Sequence, residues 1–190
     1  MPLLIVYFLT ATSLFISSLK KWVLLALLFS WAGDVLLMFE LLNANFFIFG
    51  LAAFLVAHIF YISLFDQIRV KEKVKQSLLP LLPIALYYFL LISLLQPDLG
   101  EMRKPVVIYG LIICIMLSFA TDLWRIKDRQ VSFYIIFGAF LFVISDSVLA
   151  INKFFRSFEY AGIAIMLTYG TAQLLITLGA VRYITSRSKQ

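Results

Sequence analysis

Two aspartates lie in the middle of long apolar stretches of this chain, where a carboxylate is costly. Asp34 stands in "FSWAGDVLLMFE" and Asp146 in "GAFLFVISDSVLAINKF", and the single histidine, His58, lies in a third apolar stretch. A charged group at bilayer depth costs at least ~2.5–3.5 kcal/mol, and such groups usually face a bundle interior and mark function. These three residues are therefore the first candidates for chemistry.

The chemistry that two carboxyls can perform depends on their sharing a proton. In surroundings of low dielectric a close pair titrates as one unit, and one member keeps its proton near neutral pH. This arrangement supplies a general acid beside a general base, as in aspartic proteases and glycosidases. Proton-coupled transport would use the same residues, so this chemistry leaves the choice open. One cysteine, Cys114, and one histidine leave no multi-ligand metal set, and we expect neither a metal nor a cofactor.

The elements that must position these side chains follow from composition. The 190 residues are 63% hydrophobic and 14% charged, whereas a soluble domain carries about 25% charged residues. The bilayer is therefore the expected solvent. We predict an all-α, polytopic transmembrane bundle that forms a single integral membrane domain over residues 1–190. About seven spans are expected, at residues 2–18, 22–39, 45–66, 76–95, 105–121, 132–151 and 160–181.

The basic residues predict how this bundle is oriented. Twelve of the 16 Lys and Arg residues fall in loops on one side of the seven-span arrangement, and four fall on the other. The positive-inside rule then puts the C-terminus in the cytoplasm, and we expect the inner membrane of a bacterium. The net charge of +6 is spread over several loops. It indicates contact with membrane lipids and argues against nucleic-acid binding.

Counting along the helices places the two aspartates at one depth. Asp34 lies about 18 Å and Asp146 about 21 Å above the cytoplasmic ends of their helices, and His58 is expected to lie deeper. The sequence "GDVLLM" at 33–38 resembles "SDSVLA" at 145–150, and a glycine follows each aspartate by 16 residues. These features indicate an internal parallel repeat, which would bring the two aspartates face to face.

Four further polar or small-residue features accompany the aspartates. Tyr169 lies near the same depth, Gln173 follows one turn deeper on the same face, and Tyr61 stands three residues after His58. All of them, like the aspartates themselves, could instead serve only as hydrogen-bonding contacts between helices. Glycines in the apolar stretches predict close helix approach at Gly33, Gly138, Gly162 and Gly170.

Four segments carry a resemblance that covers nearly the whole chain in order. They are "AGDVLLM" (32–38), "GLAAFLVAHIFYISLF" (50–65), "GAFLFVISDSVLAINKF" (138–154) and "MLTYGTAQLLI" (166–176). With these segments the chain resembles the YhhN-like lysoplasmalogenase family. The resemblance implies a polytopic membrane enzyme, an ether hydrolase that cleaves the vinyl ether bond of lysoplasmalogens. Its products would be a fatty aldehyde and glycerophosphoethanolamine or glycerophosphocholine, and its substrate partner a lysophospholipid.

The resemblance also implies site residues. The motif aspartates of the family fall on Asp34 and Asp146, its histidine on His58, and the last motif's Tyr and Gln on Tyr169 and Gln173. Members of the family typically have eight helices, with a Lys-Pro pair opening the second, where this chain has Met1 and Pro2. The role of that lysine does not carry over.

The physical reading of the residues agrees with this activity without requiring it. A vinyl ether hydrolyses through protonation of its β-carbon, which calls for an acid, an anion near the resulting cation, and water. One of Asp34 and Asp146 would be the acid and the other the anion, with His58, Tyr61, Tyr169 and Gln173 as orienting or substrate-binding residues. The alternatives are a proton-coupled lipid or small-molecule transporter and a structural membrane protein. The enzyme predicts a cavity that is blind at one end, and the oligomeric state stays open.

Overall fold

Seven α-helices follow one another in a computed structural model that describes residues 1–187. Short 3₁₀ turns follow the fourth and fifth helices, and the sixth continues into a π-helical turn, Ile151–Phe155. The helices are α1 (Pro2–Ala11), α2 (Leu19–Met38), α3 (Asn45–Lys71), α4 (Leu81–Leu95), α5 (Arg103–Asp122), α6 (Arg129–Ala150) and α7 (Ala161–Arg187). The predicted all-helical, polytopic bundle is confirmed.

Six of the helical segments are long and apolar enough to cross a membrane, and α1 is the exception. The sequence predicts a span over 2–18, but the helix covers only ten residues, or about 15 Å of a ~30 Å hydrocarbon layer. Hydroxyl groups end it, because the Thr12 side chain donates back to the Phe8 carbonyl at 2.7 Å. The Lys20 ammonium then donates to the Thr12 carbonyl at 2.8 Å. The other predicted spans match helices to within six residues at each end.

Two helical hairpins form the frame of the bundle. The helices α2 and α3 pack along each other, and so do α6 and α7, more extensively than any other pairs. Helix α5 lies between α3 and α6, α4 packs on the outside of α5, and α1 leans on α2 and α7. Each hairpin carries one of the two aspartates on its first helix.

Glycines allow both hairpins to pack closely. A Cβ atom at Gly33 would lie 2.7 Å from a phenylalanine ring of α3, and one at Gly138 would lie 3.0 Å from the Ala172 carbonyl oxygen of α7. The prediction of close helix approach is therefore right at these two positions. It is wrong at Gly162 and Gly170, where a Cβ would meet nothing within 4 Å among the described residues.

The start of α6 is fixed by Asp128. Its Oδ1 accepts the backbone N–H groups of Gln130 and Val131 at 3.0 and 3.2 Å, and its Oδ2 accepts from the Arg182 Nε of α7 at 2.9 Å. Desolvation raises the pKa of Asp128, but the hydrogen bonds from Val131, Arg182 and Gln130 outweigh it, so the pKa lies below its usual value. This cap anchors α6 and thereby sets the height of Asp146 in the bundle.

The buried core and the outer surface are both apolar. The core gathers large side chains from α2, α3, α5, α6 and α7, among them Tyr61, Phe65 and Phe142. Helix α4 instead turns most of its surface outward, with Leu82 78% and Phe89 66% exposed. An apolar exterior of this kind suits lipid as the surrounding medium.

Candidate active site

The two aspartates line one cleft between the hairpins. The cleft has a volume of about 1070 Å³ with its open mouth included, and Asp34, Phe54, Asp146 and Tyr169 contribute to its wall. One of these side chains comes from each of α2, α3, α6 and α7. The other lining residues are mostly apolar: Met1, Leu37, Met38, Ser145, Leu149, Ile165, Met166 and Gly170. The cleft is therefore an apolar channel with two carboxyl groups on its inner wall.

Asp146 is held from two neighbouring helices. The Tyr109 hydroxyl of α5 donates a hydrogen bond to its Oδ2. The Nε2 atom of His58, on α3, lies 3.9 Å from the same oxygen. The Asp146 side chain is 12% exposed. Because one of its oxygens is fixed by a tyrosine, the carboxyl group has a set orientation toward the cleft.

His58 is fully buried behind this carboxyl. Its ring packs edge-on against Phe142, with centroids 4.7 Å apart, and against Tyr109 at 5.4 Å. Neither ring nitrogen forms a hydrogen bond of ordinary geometry within residues 1–187, although the Phe54 backbone lies close to the imidazole. A buried polar group without a partner is costly, so His58 is poised to pair with Asp146 after a small movement.

Asp34 faces a different partner. The Tyr169 hydroxyl of α7 lies close enough to the Asp34 carboxyl to interact with it, but it forms no hydrogen bond of ordinary geometry with any described residue. The same hydroxyl also lies within the electrostatic reach of Asp146. Tyr169 thus interacts electrostatically with both carboxyls, and its ring packs edge-on against Phe54 and Phe142.

A buried hydrogen-bond chain lies at the inner end of the cleft. The Tyr61 hydroxyl donates to the Gln173 Oε1, and the Gln173 Nε2 donates to the Ser30 Oγ at 2.9 Å. All three residues are 0% exposed. The chain joins α2, α3 and α7 just below Asp34, which follows Ser30 by one turn of α2. The cavity that is blind at one end stays a prediction.

The residue separation between equivalent positions of the two hairpins recurs in this hydrogen-bond chain. Asp34 and Asp146 are 112 residues apart, and so are Tyr61 and Gln173, which bond to each other directly. Equivalent positions of the two hairpins can touch in this way only where the hairpins meet. The contact therefore supports the predicted parallel relation of the two units.

A second, smaller cavity reaches Asp146 from the other side. It has a volume of about 400 Å³ and lies between α4, α5 and α6. Asp146, Tyr109, Cys114 and Ser147 line it, and the Tyr87 hydroxyl shares a hydrogen bond with Ser147. Asp146 therefore borders both cavities, whereas Asp34 borders only the larger of these two.

The structure brings all six candidate residues into one region. The Nε2 atom of His58 lies 3.9 Å from an Asp146 carboxylate oxygen. The two side chains therefore meet, although counting along the helices places His58 deeper. The sequence reading missed Tyr109 and Ser30. A tyrosine inside an apolar span needs a partner for its hydroxyl, and that signal could have pointed to Tyr109.

Metal ligation has no support from this geometry. No group of three or more His, Cys, Asp or Glu side chains is placed to hold an ion in the described part of the chain. The site consists of two carboxyls, an imidazole, three phenols and a carboxamide on apolar walls. Such a set can donate and accept protons and can stabilise a nearby positive charge.

Comparison with known proteins gives one family and a set of named relatives. The YhhN family matches residues 1–180. Human lysoplasmalogenase TMEM86B is 39% identical over 136 residues, which are 72% of this chain and 54% of the relative. Human lysoplasmalogenase TMEM86A is 32% identical over 167 residues, or 84% of this chain and 65% of the relative.

The similarity extends to a bacterial protein. The lysoplasmalogenase of Mycobacterium tuberculosis is 29% identical over 163 residues, which are 84% of this chain and 60% of the relative. The chain thus spans roughly half to two thirds of the length of these relatives. No solved structure matches it.

Proposed function

The chain belongs to the YhhN family, and we propose that it hydrolyses the vinyl ether bond of lysoplasmalogens. The products are a fatty aldehyde and glycerophosphoethanolamine or glycerophosphocholine. The observation that carries the proposal is the single apolar cleft with Asp34 and Asp146 on its wall. The relatives that are named lysoplasmalogenase supply independent support. We place the protein in the inner membrane of a bacterium, with a cytoplasmic C-terminus, on the charge bias of its loops.

The reaction needs few groups, and the cleft holds a candidate for each. Protonation of the β-carbon produces an oxocarbenium ion, water adds to it, and the hemiacetal collapses to aldehyde and alcohol. One carboxyl of the pair donates the first proton. The other stabilises the cation and directs the water. After collapse of the hemiacetal the pair holds one proton again, so the cycle is balanced.

The surrounding residues act on this pair. The hydrogen bond from Tyr109 orients Asp146. His58 lies where it can accept a proton from the same carboxyl and return it. Tyr169 lies between the carboxyls, within reach of a substrate oxygen. The chain of Tyr61, Gln173 and Ser30 keeps bulk water out from below. An excluded solvent strengthens each electrostatic contact inside the cleft.

The walls of the cleft suit an alkenyl tail. Leu37, Met38, Leu149 and Met166 line it between the carboxyls and the mouth. Methionine side chains adapt to irregular hydrocarbon shapes. The alkenyl tail can lie along these residues beside the glycerophosphate arm of the lipid, which extends from the carboxyls toward the mouth.

A proton-coupled transporter remains the second candidate function. It is favoured by the position of Asp146 between two cavities, because a carboxyl that faces two compartments can pick up and release a proton. The buried chain of Tyr61, Gln173 and Ser30 argues against it, since transport would have to open this contact in every cycle.

The test is an assay of the purified chain in nanodiscs with lysoplasmenylethanolamine, with release of fatty aldehyde as the readout. We expect turnover by the wild type and a loss of about 10³-fold in Asp34→Asn and Asp146→Asn. The control is Asp66→Asn, which alters an aspartate paired with Arg69 on the same helix and should keep full activity. Wild-type rates in either cleft variant would rule out the paired carboxyls. A wild type that is inactive on several vinyl ether lipids would favour the transporter.

A further inference from the structure

An ion pair joins the two hairpins close in sequence to residues that line the cleft. Lys153, in the π-helical turn after α6, pairs with Glu40, in the turn after α2. The cleft is lined by Met38 on α2 and Leu149 on α6. Glu40 follows Met38 by two residues, and Lys153 follows Leu149 by one turn. The pair therefore joins the first helices of the two hairpins directly beyond the apolar walls.

The ammonium of Lys153 occupies a site built for a cation. It bonds to the Glu40 carboxylate and lies 4.9 Å from the centroid of the Phe47 ring. Phe154 packs edge-on against Phe47 and holds that ring in place. A carboxylate together with an aromatic face is the combination that binds ammonium ligands, including choline. Lys153 thus fills the site with a group from the chain itself.

The site can exchange its occupant. The Lys153 side chain is 39% exposed and that of Glu40 is 26% exposed. Ion pairs at such exposure contribute only about 0–1 kcal/mol to stability. A second ammonium can therefore replace that of Lys153 on Glu40 and Phe47, and the released lysine becomes free to bind an anion.

Two helices put the ion pair at the same distance from the carboxyls. Glu40 lies six residues beyond Asp34 and Lys153 seven residues beyond Asp146, which corresponds to about 9–11 Å at the rise of an α-helix. The third helix agrees, since Phe47 lies seven residues from the cleft residue Phe54. In a lysoplasmalogen nine bonds separate the ether oxygen from the headgroup nitrogen, and at the ~1.2 Å per bond of an extended chain they span about 11 Å.

We propose that Glu40, Phe47 and Lys153 form the headgroup site of this enzyme, called here the rim site. It takes a zwitterionic headgroup in which a phosphate is followed by an ammonium group. The substrate ammonium replaces that of Lys153 on Glu40 and Phe47, and Lys153 turns to the phosphate. One ion pair within the chain is replaced by two ion pairs between the chain and the headgroup. The assignment rests on the proposed function, because the distance from the rim site is counted to the carboxyls at which the vinyl ether bond would react.

The experiment measures binding without hydrolysis, so its result is separate from that of the activity assay. The ligands are 1-O-hexadecyl lysophosphocholine, 1-O-hexadecyl glycerophosphate and 1-O-hexadecylglycerol, whose saturated ether cannot undergo the vinyl ether reaction. Their affinities for the chain in nanodiscs are measured by competition with the tritiated phosphocholine ligand. For the wild type we expect the phosphocholine ligand to bind about tenfold more tightly than the glycerophosphate ligand.

The variants separate the two halves of the rim site. Glu40→Gln should abolish the preference for the ammonium, and Lys153→Met should abolish the preference for the phosphate over the alkylglycerol. Phe47→Leu should weaken only the ammonium ligand, which provides a second test if Glu40→Gln fails to accumulate. Asp66→Asn breaks a comparable ion pair elsewhere on α3 and should leave all three affinities unchanged.

The outcomes that overturn the rim site differ from those that overturn the activity. Equal affinities of the wild type for all three ligands, or an unchanged preference in Glu40→Gln and Phe47→Leu, would contradict it. Hydrolysis of vinyl ethers without headgroup preference would leave the carboxyl pair standing and remove only the rim site. Headgroup-selective binding without any hydrolysis would instead remove the proposed reaction and keep the site.

Discussion

The two hairpins share a frame but give their aspartates different surroundings. On α6, Asp146 accepts a hydrogen bond from Tyr109 and has His58 3.9 Å away. On α2, Asp34 faces Tyr169, without an ordinary hydrogen bond between them. The difference comes from α5, which packs against α6 and α3 and supplies Tyr109. Two carboxyls on similar helices can thus take unequal roles, because α5 packs more extensively on α6 than on α2.

The largest expected effect tests whether the two carboxyls act as one unit. If they share one proton, the double variant Asp34→Asn/Asp146→Asn should be no slower than either single variant, each about 10³-fold below the wild type. Rates of aldehyde release from vinyl ether lipid measure this. Losses that multiply in the double variant would show that the aspartates work independently.

The next effect tests the asymmetry of their partners. Tyr109→Phe should lower the rate about thirtyfold, since hydrogen bonds to charged groups contribute about 1.5–3 kcal/mol. Tyr169→Phe should lower it less than about threefold, because its hydroxyl forms no such bond in this structure. The same aldehyde assay, with thermal unfolding as a check on folding, measures both. A larger loss in Tyr169→Phe would reverse the proposed asymmetry.

A smaller effect compares the packing inside the hairpins. A Cβ at Gly138 would press on the backbone of α7, whereas one at Gly33 would press on the Phe54 ring, which can shift. We expect Gly138→Ala to lower the free energy of unfolding by about 2 kcal/mol and Gly33→Ala by about 1 kcal/mol. Gly162→Ala serves as the control, with open space around its Cβ in the described structure. Unfolding in mixed micelles provides the measurement, and equal losses at both sites would contradict the difference.

The smallest effect compares how the two aspartate helices begin. Asp128 caps α6, whereas Ser18 before α2 makes no side-chain cap within residues 1–187. Asp128→Ala should lower the free energy of unfolding by about 1 kcal/mol, and Ser18→Ala should change it by less than about 0.5 kcal/mol. The pKa of Asp128 is lowered in the folded state. The stabilisation that its charge contributes is therefore fully present above the pKa of the unfolded chain. This stabilisation is lost as pH falls through the folded value. If Asp128→Ala lowers the free energy of unfolding as much in acid as at pH 7, the charge of Asp128 does not contribute to stability.

The fold was largely predictable because hydrophobicity in a membrane protein is a strong local signal. Runs of about 20 apolar residues identify the long helices directly. The first helix was overestimated, since its apolar run continues into a stretch where hydroxyl groups end the helix at Ala11. Glycine gave a weaker signal: it marked close packing at Gly33 and Gly138 but not at Gly162.

The candidate site was predictable only in part. Asp34 and Asp146 stand out because a carboxylate inside an apolar run is rare and costly. Tyr109 did not stand out, because tyrosine is common in apolar helices and its partner is on another helix. The contact between His58 and Asp146 was not predicted, because it joins two helices whose residues lie 88 positions apart in the chain.

The sequence by itself determined that the surrounding medium is lipid and how many helices form. It also identified Asp34 and Asp146 as two carboxyls that contact with lipid cannot explain. These properties depend on the composition of each segment alone, which is local information. The tertiary structure decided that both carboxyls line one cleft, that Asp146 alone is bonded to Tyr109, and that Glu40 meets Lys153 at the mouth. Such contacts depend on which helices become neighbours and how they tilt. Packing between distant segments sets both, and no single segment encodes them.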